Sequence, residues 1–425
     1  MKILVISNLY PPFYLGGYEI GCKNIVDGLI DSGHEVIVLT SSSHVRDQST
    51  PIPSQKHVLR RLQVRAFHPI TPVSESVNNM FHFEAMVSNY VNTSAVLDVL
   101  KEFAPECVYL FNLVGLGGLA IIDILNFKSV PWVIHLMDRV PIELQRNIHQ
   151  SVLSVFNAND GELYKRGHLI SMTQHLVNEI ESLSGFRLDT EVSLIPGWVK
   201  VSPNLFKRSY LTSGIARFVS AGAVQPHKGI HLILEAVALL KANGIQNFSV
   251  EIYGDGNINH YVDMSKQLNI DNFVMFAGSR TQDDLACVYK FSDAFLFPTW
   301  EREPFGFAPI EAAAFGCIPI ITSTCGVSER LIGDVNCLKI ERTAASLSSA
   351  MRRFCTSKID CQRIGSNAQL ITRQDLNFGV CLNKIEHVLT QSIKMSTSLY
   401  SKPFWKDYNF AYFKHNLAFR LHTLE

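Results

Sequence analysis

Residues 298–316 read Pro298-Thr-Trp-Glu-Arg-Glu303-Pro-Phe-Gly306-Phe-Ala-Pro-Ile-Glu311-Ala-Ala-Ala-Phe-Gly316. Four apolar residues, Ala294 to Phe297, run into this stretch and predict a strand. Pro304 and Gly306 predict a loop after it, and a helix follows. Glu303 falls in the loop, and Glu311, eight positions on, falls about one turn into the helix. A loop at the carboxyl end of a strand is where open parallel sheets bind ligands. The helix start adds unpaired N–H groups and a positive dipole end, which suit an anion. One carboxylate facing a sugar, one facing a ribose and amides facing phosphates make coherent chemistry. The plain alternative is a strand–loop–helix unit with surface glutamates.

The surrounding chain has the same βα character. Strands are expected at Arg217–Ala221, Phe248–Tyr253, Phe273–Ala277, Ala294–Phe297 and Ile318–Ile321, with helices between them. Ile230, Ile233, Leu234, Val237 and Leu240 keep one face of the first helix apolar. Earlier strands are expected at Ile3–Ile6, Glu35–Leu39, Cys107–Leu110, Pro131–Leu136, His168–Met172 and Glu191–Ile195, with a helix at Ser94–Phe103. Strands alternating with helices imply doubly wound parallel sheets. Residues 41–90 show little pattern and read as loops and short helices, with Arg60-Arg61 among them. Ser202-Pro203-Asn204 reads as a linker.

Two further stretches carry phosphate chemistry. Pro11-Pro12 opens a loop that closes on Gly16-Gly17 before a helix that Gly33 ends. Paired glycines let a backbone approach a phosphate closely, although a tight loop needs glycine too. Gly222-Ala-Val-Gln-Pro-His-Lys228-Gly229 places a lysine at a helix start, where charge and dipole both favour phosphate. It is not a Walker loop, because no Ser or Thr follows Lys228.

Taken together, these motifs resemble those of retaining glycosyltransferases of the GT-B fold, in particular glycosyltransferase family 4, over roughly residues 1 to 390. The resemblance implies two Rossmann-like domains facing across a cleft. It implies an acceptor-side domain over 1–204, a donor domain over 205–390, and a tail, 391–425, that packs back on the first domain. It implies that Glu303 contacts the donor sugar and Glu311 the nucleotide ribose, with Phe305, Gly306 and Phe307 beside them. Lys228 and the Gly16-Gly17 loop would meet the diphosphate. The turn Tyr253-Gly254-Asp255-Gly256 and the loop Phe276-Ala-Gly278-Ser-Arg280 would line the nucleotide, with Gly254 and Arg280 as donor contacts.

The chain departs from the family at three points, of which Cys337, where the family usually has glycine, is minor. Where the family has an arginine before its lysine, this chain has Ala223, and Arg280 or Arg302 is a candidate substitute. Where the family has a histidine at the end of a first-domain strand before an aspartate, Pro131-Trp-Val-Ile-His135-Leu-Met137-Asp138 has Met137. His135 lies two residues earlier, on the same strand face if the strand persists to Met137. Two readings stay open: His135 replaces the catalytic histidine beside Asp138, or it is a core histidine.

Composition narrows the rest. The chain has 425 residues, is 47% hydrophobic and 18% charged, and carries 38 Lys plus Arg against 38 Asp plus Glu. That suits a globular protein of two domains and gives no basic field for nucleic acid. Nine cysteines without paired spacing argue for a reducing compartment, hence a cytoplasmic setting. His227 and His231 alone show ligand-like spacing, and no aspartate-x-aspartate motif is present, so neither metal nor cofactor is expected. The apolar stretch Val108 to Phe127 has the length of a membrane span, but Asn112, three glycines and Asp123 favour a strand, a glycine loop and a buried helix.

The reading is a glycosyltransferase that moves a sugar from a nucleotide-sugar donor to a glycan or lipid-linked acceptor, in surface polysaccharide or glycolipid assembly. Its rivals are a sugar-nucleotide epimerase and a non-catalytic nucleotide-sugar-binding subunit. The tail holds Phe404, Trp405, Tyr408, Phe410, Tyr412, Phe413 and Phe419 among Lys402, Lys406, Lys414 and Arg420. It packs on the first domain or meets a bilayer at the inner face of the membrane.

Overall fold

The computed structural model describes residues 1–42, 55–65, 74–202, 204–211, 214–356, 359–395 and 404–424. Lys402, the side chains of Phe404, Trp405 and Lys406, and Pro203 of the expected linker lie outside the described residues. The chain divides into two compact units, Met1–Ile195 with Leu382–Glu425, and Pro196–Cys381.

The first unit holds a seven-stranded sheet in the order β3-β2-β1-β4-β5-β6-β7. Its strands are β1 (Lys2–Ile6), β2 (Glu35–Ser41), β3 (Val58–Leu62), β4 (Cys107–Leu110), β5 (Trp132–Leu136), β6 (His168–Ser171) and β7 (Glu191–Leu194). Every pairing is parallel. β4 and β5 are buried along their whole length, as strands covered on both faces must be. β3 falls in the region read as loops. It is an edge strand, and Arg60 and Arg61 on it mask its pattern. The apolar stretch Val108–Phe127 is divided between β4, a loop and the helix Gly118–Lys128. No described helix is long and apolar enough to cross a membrane.

The second unit repeats the plan with six strands in the order β10-β9-β8-β11-β12-β13. These are β8 (Ala216–Ala221), β9 (Phe248–Tyr253), β10 (Val274–Gly278), β11 (Ala294–Phe297), β12 (Ile318–Thr322) and β13 (Leu338–Ile340). All pairings are again parallel. In each sheet the order turns back beside the first strand, between β1 and β4 and between β8 and β11. At such a switch point neighbouring loops leave the sheet toward opposite faces and open a crevice at the carboxyl ends.

The C-terminal helix, Phe404–Leu424, packs on the first unit against the helices Tyr90–Phe103, Gly118–Lys128 and Gln150–Val155. Asp407 and Lys128 form a fully buried ion pair at 2.8 Å. Lys414 meets Asp123 at 2.7 Å, Tyr408 donates to Asp98 at 2.6 Å, and Phe410 stacks on Phe127. Removing one partner of a buried pair costs ~3–5 kcal/mol, so these contacts fix the register of the helix.

Candidate active site

The second unit's site is built on the two strands that flank its switch point. β8 ends at Ala221 and β11 ends at Phe297, and the two pair directly. The turn after β8 carries Lys228 and the loop after β11 carries Glu303. Gly229 joins them: its φ is +74°, and a Cβ there would stand 2.1 Å from the Pro298 carbonyl oxygen. Only glycine lets the two loops approach this closely. The Trp300 amide donates to the His227 carbonyl at 3.0 Å and closes the contact.

Lys228 and Glu303, 75 positions apart in sequence, are brought into an ion pair by this approach. Lys228 Nζ donates to Glu303 Oε2, and both side chains are largely withdrawn from water, at 24% and 13% exposure. Thr299 donates its hydroxyl to the same Oε2 at 3.1 Å. The loop is pinned on its far side: the Gly326 amide donates to the Glu303 carbonyl at 3.0 Å and the Val327 amide to the Phe305 carbonyl at 2.7 Å.

Gly306 has a φ of +101° and turns the chain into the helix Phe307–Ala313. Phe305 is buried and Phe307 half-buried, their rings edge to face at 5.5 Å, so both pack the base of the loop. Glu311 lies on that helix, half-buried, and accepts from Gln282 Nε2 at 3.3 Å. Burial pushes its carboxyl above the usual range, and the Gln282 donor offsets part of this. Gly254 begins the turn after β9, and its amide donates to the Gly278 carbonyl at 3.0 Å. Arg280 follows β10, is exposed, and donates to the Ser279 carbonyl at 3.0 Å. Ala223 is exposed at the end of β8. Arg302 lies over the Trp300 ring at 5.2 Å, and the His227 ring packs on the same tryptophan at 5.0 Å. Among the described residues no group of three or more His, Cys, Asp or Glu is placed to hold a metal ion.

In the first unit, Gly16 and Gly17 are exposed at the start of the helix Gly17–Asp31. Two amides of this loop are already occupied: the buried Glu19 carboxylate accepts from Leu15 at 3.2 Å and from Gly16 at 3.1 Å. His135 is fully buried within the sheet. It meets the Tyr109 hydroxyl at 2.7 Å and stacks on Phe111. Burial pushes its pKa down to about 3, so its ring is neutral at ordinary pH. Asp138 lies just past β5, exposed, and accepts from the Arg139 amide at 2.7 Å.

A family model for glycosyl transferases group 1 matches residues 203–370. Over that stretch the chain is similar to the glycosyl transferases group 1 family. Its architecture is that of the GT-B class, and its activity class is glycosyl transfer. The glycogen synthase of Mycobacterium tuberculosis is 24% identical over 378 residues, which span 85% of this chain and 88% of that protein. Among solved structures, sucrose-phosphate synthase from Thermosynechococcus elongatus aligns with a TM-score of 0.69 at 17% identity, covering 93% of this chain and 100% of the other. Anabaena HepE in complex with UDP-glucose aligns at 0.64 and 18% identity, covering 92% of this chain and 100% of the other. At these identities the structures are similar in fold alone.

Two contacts of this glycosyltransferase escaped the sequence. Thr299 carries no signal beyond its place between a strand and a loop. Arg60, read as part of a loop, sends its guanidinium to the carbonyls of Pro11 at 2.8 Å, Ser41 at 3.2 Å and Tyr10 at 3.3 Å. It thereby holds the proline loop that leads to Gly16-Gly17.

Proposed function

We propose that this chain is a retaining glycosyltransferase that takes a sugar from a nucleoside-diphosphate donor bound to its second unit. The observation that carries this reading is the Lys228–Glu303 pair at the switch point. A cation suited to a diphosphate and a carboxylate suited to a sugar stand in contact where open parallel sheets bind ligands. Glu311, on the helix that follows, is the partner for the ribose hydroxyls, and Gly254 and Arg280 border the nucleotide. When the glycosidic bond breaks, negative charge grows on the diphosphate and positive charge on the anomeric carbon. Lys228 stabilises the first and Glu303 the second, both more strongly in the transition state than in the ground state.

The acceptor is a glycan or a lipid-linked sugar. Asp138, exposed at the carboxyl end of the first sheet, is the first-unit carboxylate placed to meet its hydroxyl. The burial of His135 supports its core reading. The C-terminal helix leaves Tyr412 and Phe413 57% and 65% exposed, which supports contact with a bilayer interface near a lipid-linked acceptor.

UDP and UDP-glucose, the ligand of HepE, are the first probes. A thermal-shift screen over nucleoside diphosphates and nucleotide sugars identifies the donor, since a ligand bound to the native state raises apparent stability. Donor hydrolysis by purified protein then separates an enzyme from a binding subunit. Glu303→Gln keeps UDP binding and loses turnover; a variant with the wild-type rate rules out the role of Glu303.

A further inference from the structure

We infer that Thr299 is a positioning residue that keeps the Glu303 carboxylate in place when the donor draws Lys228 away; this rests on the assignment of Glu303 to the donor sugar. Thr299 is fully buried two residues past the end of β11. Its hydroxyl has one proton to give. Glu303 Oε2 lies 3.1 Å away and the His227 carbonyl 3.4 Å away, so the carboxylate is the better acceptor in both distance and charge. The threonine itself is anchored, because Thr322 donates its hydroxyl to the Thr299 carbonyl at 3.1 Å.

Lys228 and Thr299 hold the same carboxylate oxygen by different means. Lys228 is a flexible side chain with a second anion to serve, since a bound diphosphate competes with Glu303 for the ammonium. The Thr299 side chain is short, buried and uncharged, so a bound diphosphate does not compete for it as it does for the ammonium. In the donor complex it is the bond to Glu303 that does not depend on where the lysine goes. Catalytic groups act through placement, and a misplacement of about 1 Å costs on the order of a hundredfold in rate. A carboxylate released from both partners would rotate through that distance.

The test compares Thr299→Val, which replaces the hydroxyl by a methyl at nearly equal volume, with Thr299→Ser, which keeps the hydroxyl. The readouts are UDP affinity by calorimetry and the kcat and KM for hydrolysis of whichever of UDP-glucose, UDP-galactose, UDP-N-acetylglucosamine, GDP-mannose and ADP-glucose the wild type turns over. Thr299→Val should lose roughly 10- to 100-fold in kcat, with UDP affinity and KM close to wild type, and Thr299→Ser should recover most of the loss. A Thr299→Val protein with wild-type kcat, beside an inactive Glu303→Gln, overturns the role of Thr299 and leaves that of Glu303 standing. A Glu303→Gln protein with wild-type kcat overturns both. If Thr299→Val lowers the melting temperature, Thr299→Ser against Thr299→Ala makes the same comparison with two smaller side chains. An equal loss in those two marks packing as the cause and overturns the proposal.

Discussion

Lys228→Ala should separate recognition of the diphosphate from recognition of the nucleoside. The Lys228 ammonium is paired with the Glu303 carboxylate, and the pair is 24% and 13% exposed. A surface pair of this kind is worth ~0–1 kcal/mol, while truncating one partner of a buried, hydrogen-bonded charge pair costs ~2–5 kcal/mol. This pair lies between those limits. A bound diphosphate must also share the lysine with Glu303, which lowers its net gain. The expected loss in UDP binding is therefore about 2–3 kcal/mol, or roughly 30- to 150-fold in Kd. Uridine carries no phosphate, so its affinity should change by less than about twofold, a few tenths of a kcal/mol. Calorimetry with UDP, UMP and uridine on the folded variant measures all three steps. Glu303→Gln is the converse change: it removes the anion that competes for the ammonium, so UDP affinity should hold or rise. Wild-type UDP affinity in Lys228→Ala, or equal losses for UDP and uridine, would refute the reasoning.

Glu311→Ala should weaken UDP and uridine alike by about 1.5–3 kcal/mol, the usual value of hydrogen bonds to a charged group; unchanged calorimetric affinities would remove Glu311 from the site. His135 makes stability depend on pH. Its folded pKa, about 3, lies below the unfolded value, so its contribution is fully present above about pH 6.5 and is lost as pH falls toward 3, at up to about 1.4 kcal/mol per pH unit. Melting of His135→Gln between pH 4 and 7 should therefore show a flatter acid side than wild type, and parallel curves would contradict this. Replacing exposed Tyr412 and Phe413 by serine should reduce co-sedimentation with anionic lipid vesicles while leaving UDP affinity unchanged; undiminished vesicle binding would count against the C-terminal helix as the contact.

What the sequence made legible follows from where each residue sits in its sheet. Cys107–Leu110 and Ala294–Phe297 are strands with the expected bounds, because a strand covered on both faces must be apolar throughout; Phe248–Tyr253 also has the expected bounds, but there buried residues alternate with the half-buried Ser249 and Glu251. Of the edge strands, β7 and β10 lie within a residue of where they were expected, whereas β3 and β13 were not legible. β3 is half-covered and carries two arginines, and β13 has three residues, too few for a pattern to show. The same distinction holds in the site. Lys228 and Glu303 could each be picked out, since a cation at a helix start and a carboxylate in a strand–helix loop each state a chemistry. Their contact could not be read from either motif. It depends on β8 and β11 being neighbours in the sheet, although β9 and β10 lie between them in sequence. Strand parity placed His135 on β5, yet parity gives the face of a strand and not how deeply that face is covered; Tyr109 and Phe111 from β4 and the loop after it settle that. Thr299 and Arg60 fall in the remaining class. Each is a common residue type whose role is set by a partner's position: Glu303 for one, and the carbonyls of Tyr10, Pro11 and Ser41 for the other. Motif reading finds the groups that meet a ligand, because ligand chemistry restricts residue type. The groups that hold those residues still need only a proton at the right place, and many residue types supply one.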